Sequence, residues 1–256
     1  MRIRRIWPGL ALGAVLLAPL LAQRSANGEA ALYAPPNPAY DGRFTYARIK
    51  FTQNCCVFNG RYRDVKWGHD YPDADYNLPK ILDELTAMKI RTDGSVIVTL
   101  TDPELFKFPF AYMAEPGYWQ PDDADVRGLR NYLLKGGFLI VDDFQDQHWF
   151  NFEEQFRRVF PELRPIPMPA DHPLFDSFYR IDIEMHRNRD GGFGSLPQFF
   201  GFFEENDPRR RLMAIVNYNF DVGELWEWSA TGFFPIALTN EGFKLGVNYV
   251  IYANSR

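Results

Sequence analysis

The chain has 256 residues, 46% of them hydrophobic and 16% aromatic, enough for one well-buried domain or at most two small ones. That composition excludes collagen, extended disorder and a polytopic membrane protein, and no repeat of about 20 to 50 residues points to a solenoid or propeller. A formal charge of −5, from 28 basic and 33 acidic residues, makes nucleic acid and anionic membrane surfaces poor partners.

The first segment, MRIRRIWPGLALGAVLLAPLLAQRSA, opens with three arginines, followed by an apolar stretch and then small residues. This is the layout of a secretory signal cleaved after Ala22, and it predicts export to the periplasm or the exterior. The alternative is an uncleaved anchor over residues 6–22, short for a span of about 20 residues and interrupted by Pro8 and Pro19. Cleavage would remove Arg2, Arg4 and Arg5, taking the charge from −5 to −8. Residues 23–43, rich in Ala, Pro, Asn and Gly, read as a linker, and 44–256 as a single domain.

FTYARIKF, residues 44–51, is aromatic and β-branched and reads as the first strand. A turn-rich loop follows over 53–76, containing Cys55 and Cys56, the chain's two cysteines. Neighbouring Cα atoms lie about 3.8 Å apart, against about 4.4–6.8 Å in an ordinary bridge, which argues for two free buried thiols, with a redox switch or a metal pair as the alternative. Leu78, Ile81, Leu82, Leu85 and Met88 make one helical face, with Asn77 as the expected N-cap. SVIVTL, residues 95–100, reads as a buried strand running into TDPELF. Asp122, Asp123 and Asp125 open the next helix, where the macrodipole favours anions, and Gly136 and Gly137 close it.

KGGFLIVDDF then gives a buried strand ending in Asp142 and Asp143. Asn151 is the expected cap of a helix reaching about Phe160. FYRIDIEM, residues 178–185, and RLMAIVNY, residues 211–218, read as strands, and NEGFKLGVNYVIYA as the last helix. The stretch 187–211 reads as a loop packed on the domain, with a mobile flap as the alternative. The order is that of an α/β fold: a mainly parallel sheet flanked by helices in three layers, with ligands outside the carboxyl ends of the strands.

Taken together, RIKF, WGHDYPDADYNL, LTDPELFKFPFAYM, LRNYLLKGGFLIVDDF, HPLF and GVNYVIYA resemble the family called domain of unknown function 4159. The resemblance spans roughly 44–253. It implies a flavodoxin-like sheet of the class I glutamine amidotransferase type, and it carries no activity and no catalytic residues. The amidotransferase nucleophile, a cysteine on a glycine-flanked elbow, has no counterpart here, so that chemistry is not expected.

Asp102, Glu104, Asp142 and Asp143 are expected to converge at one sheet edge, with Asp70, His148 and His172 at its rim. Carboxylates with imidazole suit a divalent cation, and Asp142, Asp143 and His148 are the candidate ligands. Two carboxylates in unlike environments could instead divide into acid and base, as in a glycoside hydrolase. Either Asp could equally serve a turn alone, and His69 and His186 read as ordinary polar residues. The leading expectation is an exported domain that binds a small polar ligand or a protein partner; the alternative is a carboxylate-based hydrolase acting on a polar substrate such as a glycan. Trp67, Trp119, Trp149, Trp226 and Trp228 read mainly as core, with VGELWEWSA as a ligand-lining loop. The sequence identifies no cofactor.

Overall fold

The computed structural model describes residues 28–62, 64–187 and 194–255. The chain runs through β1 (Ala47–Ile49), a small hairpin of β2 (Val57–Phe58) and β3 (Arg61–Tyr62), α1 (Asp73–Leu85), β4 (Val96–Val98), β5 (Phe110–Ala114) and α2 (Asp123–Leu134). It continues through β6 (Phe138–Phe144), α3 (His148–Val159), β7 (Ile166–Pro167), the short α4 (Ile183–Arg187), β8 (Gln198–Phe203), β9 (Leu212–Tyr218), the short α5 (Val222–Glu227) and α6 (Ile236–Asn254). One 7-stranded sheet has the order β4-β1-β5-β6-β9-β8-β7. Pairing is parallel from β4 across to β9 and antiparallel for β8 and β7.

The expected mainly parallel α/β sandwich is therefore present. Leu129 and Leu133 of α2, with Phe152 and Phe156 of α3, cover one face against Leu139 and Val141. Leu78 and Leu82 of α1, Trp226 of α5 and Leu245 of α6 cover the other, against Phe138 and Ile140. The apolar run of β6 thus alternates between two cores, as a strand buried on both faces must. Asp122 caps α2 through the amides of Ala124 and Asp125, and Gly136, at φ 107, terminates it.

Several expectations are corrected. The helix expected from Asn77 begins at Asp73, with Asp73 and Asp75 in its first turn. Asn77 is inside it and donates to the Trp226 carbonyl at 2.9 Å. Likewise α3 begins ahead of Asn151, whose side chain donates to the Trp119 carbonyl at 2.9 Å. FYRIDIEM is not a strand: the Asp182 carboxylate accepts from the amide of Glu184 at 3.1 Å and bends the chain into α4. The loop expected over 187–211 contains β8, paired along β9, although residues 188–193 lie outside the described residues. VGELWEWSA is mostly α5, and its Trp226 is fully buried, donating to the Gly242 carbonyl.

The presumed linker also carries structure over its described part, residues 28–43. Asn37 bonds both backbone groups of Ile97, at 2.8 and 2.9 Å, and Asp41 pairs with Arg91 at 2.6 Å. The signal or anchor expected over residues 1–22 lies outside the described residues. Among those described, no helix is long and apolar enough to cross a membrane. Cys55 and Cys56 are bonded to each other, not free; the small ring this closes accepts the short Cα separation of 3.7 Å.

Candidate functional site

Three adjacent parallel strands deliver acids to their carboxyl ends. Glu115 follows β5, Asp142 and Asp143 lie inside β6, and Asp221 follows β9. The strand expected to surface at its aspartates instead runs on to Phe144, and both carboxylates are buried. A register irregularity between Val141 and Phe144 coincides with Asp143 at φ 59. This bulge re-aims Asp143, which simple alternation would have pointed away from Asp142.

Asp142 faces inward beneath α5. Its carboxylate accepts from Tyr112 Oη at 2.8 Å, Asn217 Nδ2 at 2.9 Å and the amides of Val222 and Gly223 at 3.0 and 2.9 Å. Tyr112 Oη also lies 3.0 Å from Asp70 Oδ2. A Cβ on Gly223 would sit 2.2 Å from Tyr112 Oη and 2.3 Å from Asp70 Oδ2, so only glycine lets α5 close over these groups. Burial pushes the Asp142 carboxyl up to about 7, against the hydrogen bonds that favour its ionised form.

Asp143 faces the loop between β3 and α1. His69 bridges two acids there, with Nδ1 3.1 Å from Asp143 Oδ2 and Nε2 2.8 Å from Asp64 Oδ1. Lys66 pairs with Asp64 and with Glu115, both at 2.9 Å. Arg48, wholly buried in β1, makes a close pair with Asp75 of α1 and donates to the carbonyls of Trp67 and His69 at 3.2 and 2.7 Å. That network fixes the backbone presenting His69 and Asp70.

The centre holds more acid than base. Burial, then the neighbouring Glu115, raises Asp143 well above the usual carboxylate range. Burial, then Asp143, does the same to Asp221, and burial raises Asp70 and Glu224. Burial and mutual repulsion therefore both oppose charging all of these carboxylates at once. Two sets of possible ligand atoms overlap at Asp143: His69 with Glu115 and Asp143, and Asp70 with Asp143 and Asp221. Within each set the atoms lie within 4.8 Å of one another.

Of the residues singled out in the sequence, Asp70, Asp142 and Asp143 come together here. Asp102 caps a 3-10 turn by accepting from the Glu104 amide at 2.8 Å, and Glu104 is exposed beside Lys107. They follow β4, which β1 and β5 separate from β6, so they stand apart from the centre. His148 packs at the rim on Tyr118, ring centroids 4.6 Å apart, and its buried Nδ1 has no hydrogen-bond partner among the described residues. Asp142, with four donors on its oxygens, is engaged as an anchor more than as a ligand. His172 accepts from the Leu174 amide at 3.2 Å and lines a cavity of about 570 Å³ with Arg209, Arg211 and Tyr252, by the amino end of β9. His186 is ordinary only in the sense of lying outside the centre: it is buried, 3.6 Å from Glu241.

His69, read as ordinary, is the histidine at the centre, and Glu115 and Asp221 were missed. Their signal was position: each acid stands at or just past the carboxyl end of a parallel strand. His69 should titrate far from the usual imidazole value, because burial opposes its charge less than Asp143 and Asp64 favour it, pushing it up to about 10. A raised pKa stabilises the fold fully below the unfolded value of about 6.5 and loses that contribution as pH climbs through the folded one. Unfolding free energy should therefore fall between about pH 6.5 and 10, with a His69 ring proton titrating near the upper end by NMR. His69→Gln should flatten that limb; a ring titrating near 6.5 would contradict the bridge.

The fold and these residues define an α/β domain with a buried acidic centre at the carboxyl edge of a parallel sheet. A family model described as Domain of unknown function (DUF4159) matches residues 58–253, most of the chain and all of the centre's acids. The protein belongs to that family. No curated protein matches the sequence.

Proposed function

We propose that the domain is an exported binding module whose acidic centre takes a divalent cation and, through it, a polar ligand. The observation that carries this reading is the convergence of His69, Glu115 and Asp143, with Asp70 and Asp221 completing a second set around the same Asp143. Once His69 releases the ring proton held between Asp143 and Asp64, nitrogen and carboxylate donors together suit Mn²⁺ or Zn²⁺, while the all-carboxylate set suits Mg²⁺, Ca²⁺ or Mn²⁺. Arg48 and Lys66 are already committed to Asp75, Asp64 and Glu115, so a cation would relieve the repulsion left among the other acids. Export rests on the layout of residues 1–22, and the flavodoxin-like placement on the sheet order.

Thermal unfolding of the protein with Mn²⁺, Zn²⁺, Mg²⁺ and Ca²⁺ tests the reading. A cation bound to the folded state adds about 2.7 kcal/mol at a hundredfold excess over its Kd. Asp143→Asn should abolish the shift. Asp221→Asn should weaken the shift yet raise the melting temperature without cation, by on the order of 1 kcal/mol of stability, since Asn can still cap α5 while one of the crowded charges is gone. No shift with any of the four cations would sink the cation and move the search to protein partners.

A second reading, metal-assisted hydrolysis of a polar substrate such as a glycan, is favoured by one observation. His69, Glu115 and Asp143 supply three ligands, which leaves coordination positions open for water or substrate, as catalytic sites require.

A further inference from the structure

We propose that the Cys55–Cys56 disulfide is a reversible thiol–disulfide exchange site whose redox state sets the cation affinity of the acidic centre. The inference rests on the cation reading above. Both cysteines are half-buried, so a dithiol in solution can reach them. They open a loop whose middle, residues 57–61, is exposed and pairs only two residues deep as β2 and β3.

One buried side chain joins that loop to the centre. Gln53 Nε2 donates to the carbonyl of Cys55 at 3.1 Å and to the carbonyl of Asp64 at 2.8 Å. Its Oε1 accepts from the Lys66 amide at 3.0 Å. Gln53 therefore clamps the start of the loop to its end. From there the contacts are direct: Asp64 to His69 Nε2 at 2.8 Å, Lys66 to Glu115 at 2.9 Å, and His69 to Asp143 at 3.1 Å. Two of the three residues in the mixed nitrogen and carboxylate set are thus held by partners that Gln53 positions, and the Cys55 carbonyl that Gln53 grips belongs to the peptide inside the disulfide ring.

The chemistry balances with a dithiol as reductant. Its thiolate attacks one sulfur, the Cys55–Cys56 bond breaks, and a mixed disulfide forms. The second thiol of the reductant displaces the protein sulfur. Two electrons and two protons end on Cys55 and Cys56, and the reductant leaves as its own disulfide. With the ring open, the Cys55–Cys56 peptide is free to rotate, its carbonyl can leave Gln53, and Asp64 and Lys66 lose their fixed seat. His69 and Glu115 then have to be ordered by the cation itself, which lowers affinity. The coupling is reciprocal: whatever factor reduction takes from cation affinity, the cation must take from the ease of reduction.

The test uses the full chain, Mn²⁺ and dithiothreitol. Mn²⁺ affinity is measured with the pair oxidised and reduced, and the fraction reduced in a dithiothreitol buffer is measured by thiol labelling with and without Mn²⁺. Oxidised protein should bind at least about fivefold more tightly, the lower end of ordinary allosteric coupling, and Mn²⁺ should make reduction harder by the same factor. Cys55→Ser/Cys56→Ser should bind like reduced protein and ignore dithiothreitol. Gln53→Ala should bind weakly in both redox states while its disulfide still opens and closes. Equal Mn²⁺ affinity in both states would overturn this inference and leave the cation site standing. If Mn²⁺ binds in neither state, the cation reading fails and this inference fails with it.

Discussion

Arg48→Met should destabilise the fold by about 3–5 kcal/mol, the typical result of stranding one partner of a buried ion pair. Arg48 and Asp75 are both solvent-free, and Asp75 would be left as an uncompensated buried charge in the first turns of α1. The carbonyls of Trp67 and His69 would lose their donor as well. The double change Arg48→Met/Asp75→Leu should recover most of that loss, because exchanging a whole buried pair for apolar side chains is often neutral. Denaturant unfolding of the three variants gives the comparison. A double variant as unstable as the single one would mean that the carbonyl contacts, not the charge, are what Arg48 supplies.

Asp142→Ala should cost about 2–4 kcal/mol, whereas Asp142→Asn should cost less than about 1.5 kcal/mol. The alanine leaves Asn217 Nδ2 and two backbone amides of α5 without an acceptor, and leaves Tyr112 Oη with Asp70 alone. The asparagine keeps one oxygen for the three donors on Oδ2. Its amide can face Asn217 if that side chain turns over, because the hydroxyl of Tyr249, 2.9 Å from Asn217 Oδ1, can accept as well as donate. The ordering Ala worse than Asn identifies Asp142 as the anchor that docks α5. The reverse ordering, or no loss in either, would remove it from that role and return it to the candidate ligands.

The sheet-forming pattern was legible where apolar runs are long and their ends are marked. FLIVDDF, four consecutive apolar residues after two glycines, could be placed as a strand, and the aspartates of α2 announced its start. FAYMA was passed over: five residues, two of them alanine, with no alternation because both faces are buried. That miss displaced the site. Without β5 between β1 and β6, the end of β4 looked like the neighbour of Asp142, and Asp102 and Glu104 were drawn in while Glu115 was left out. His69 was invisible for another reason. Its partners Asp64 and Asp143 are set by a bulge and a loop, and neither leaves a periodic trace. Asp70, Asp142 and Asp143 were found because placement at a strand end or beside an aromatic turn is itself a local signal.

Asn37 has a bearing beyond the fold it helps to close. The outer strand at one end of the sheet, β4, would otherwise offer the backbone of Ile97 as a template for a foreign strand, and the amide of Asn37 occupies both of those hydrogen-bonding groups. At the other end the outer strand is two residues long and contains Pro167, which has no N–H to donate. Neither margin invites edge-to-edge association into ordered aggregates. The domain is thereby suited to standing at high local density among copies of itself without polymerising.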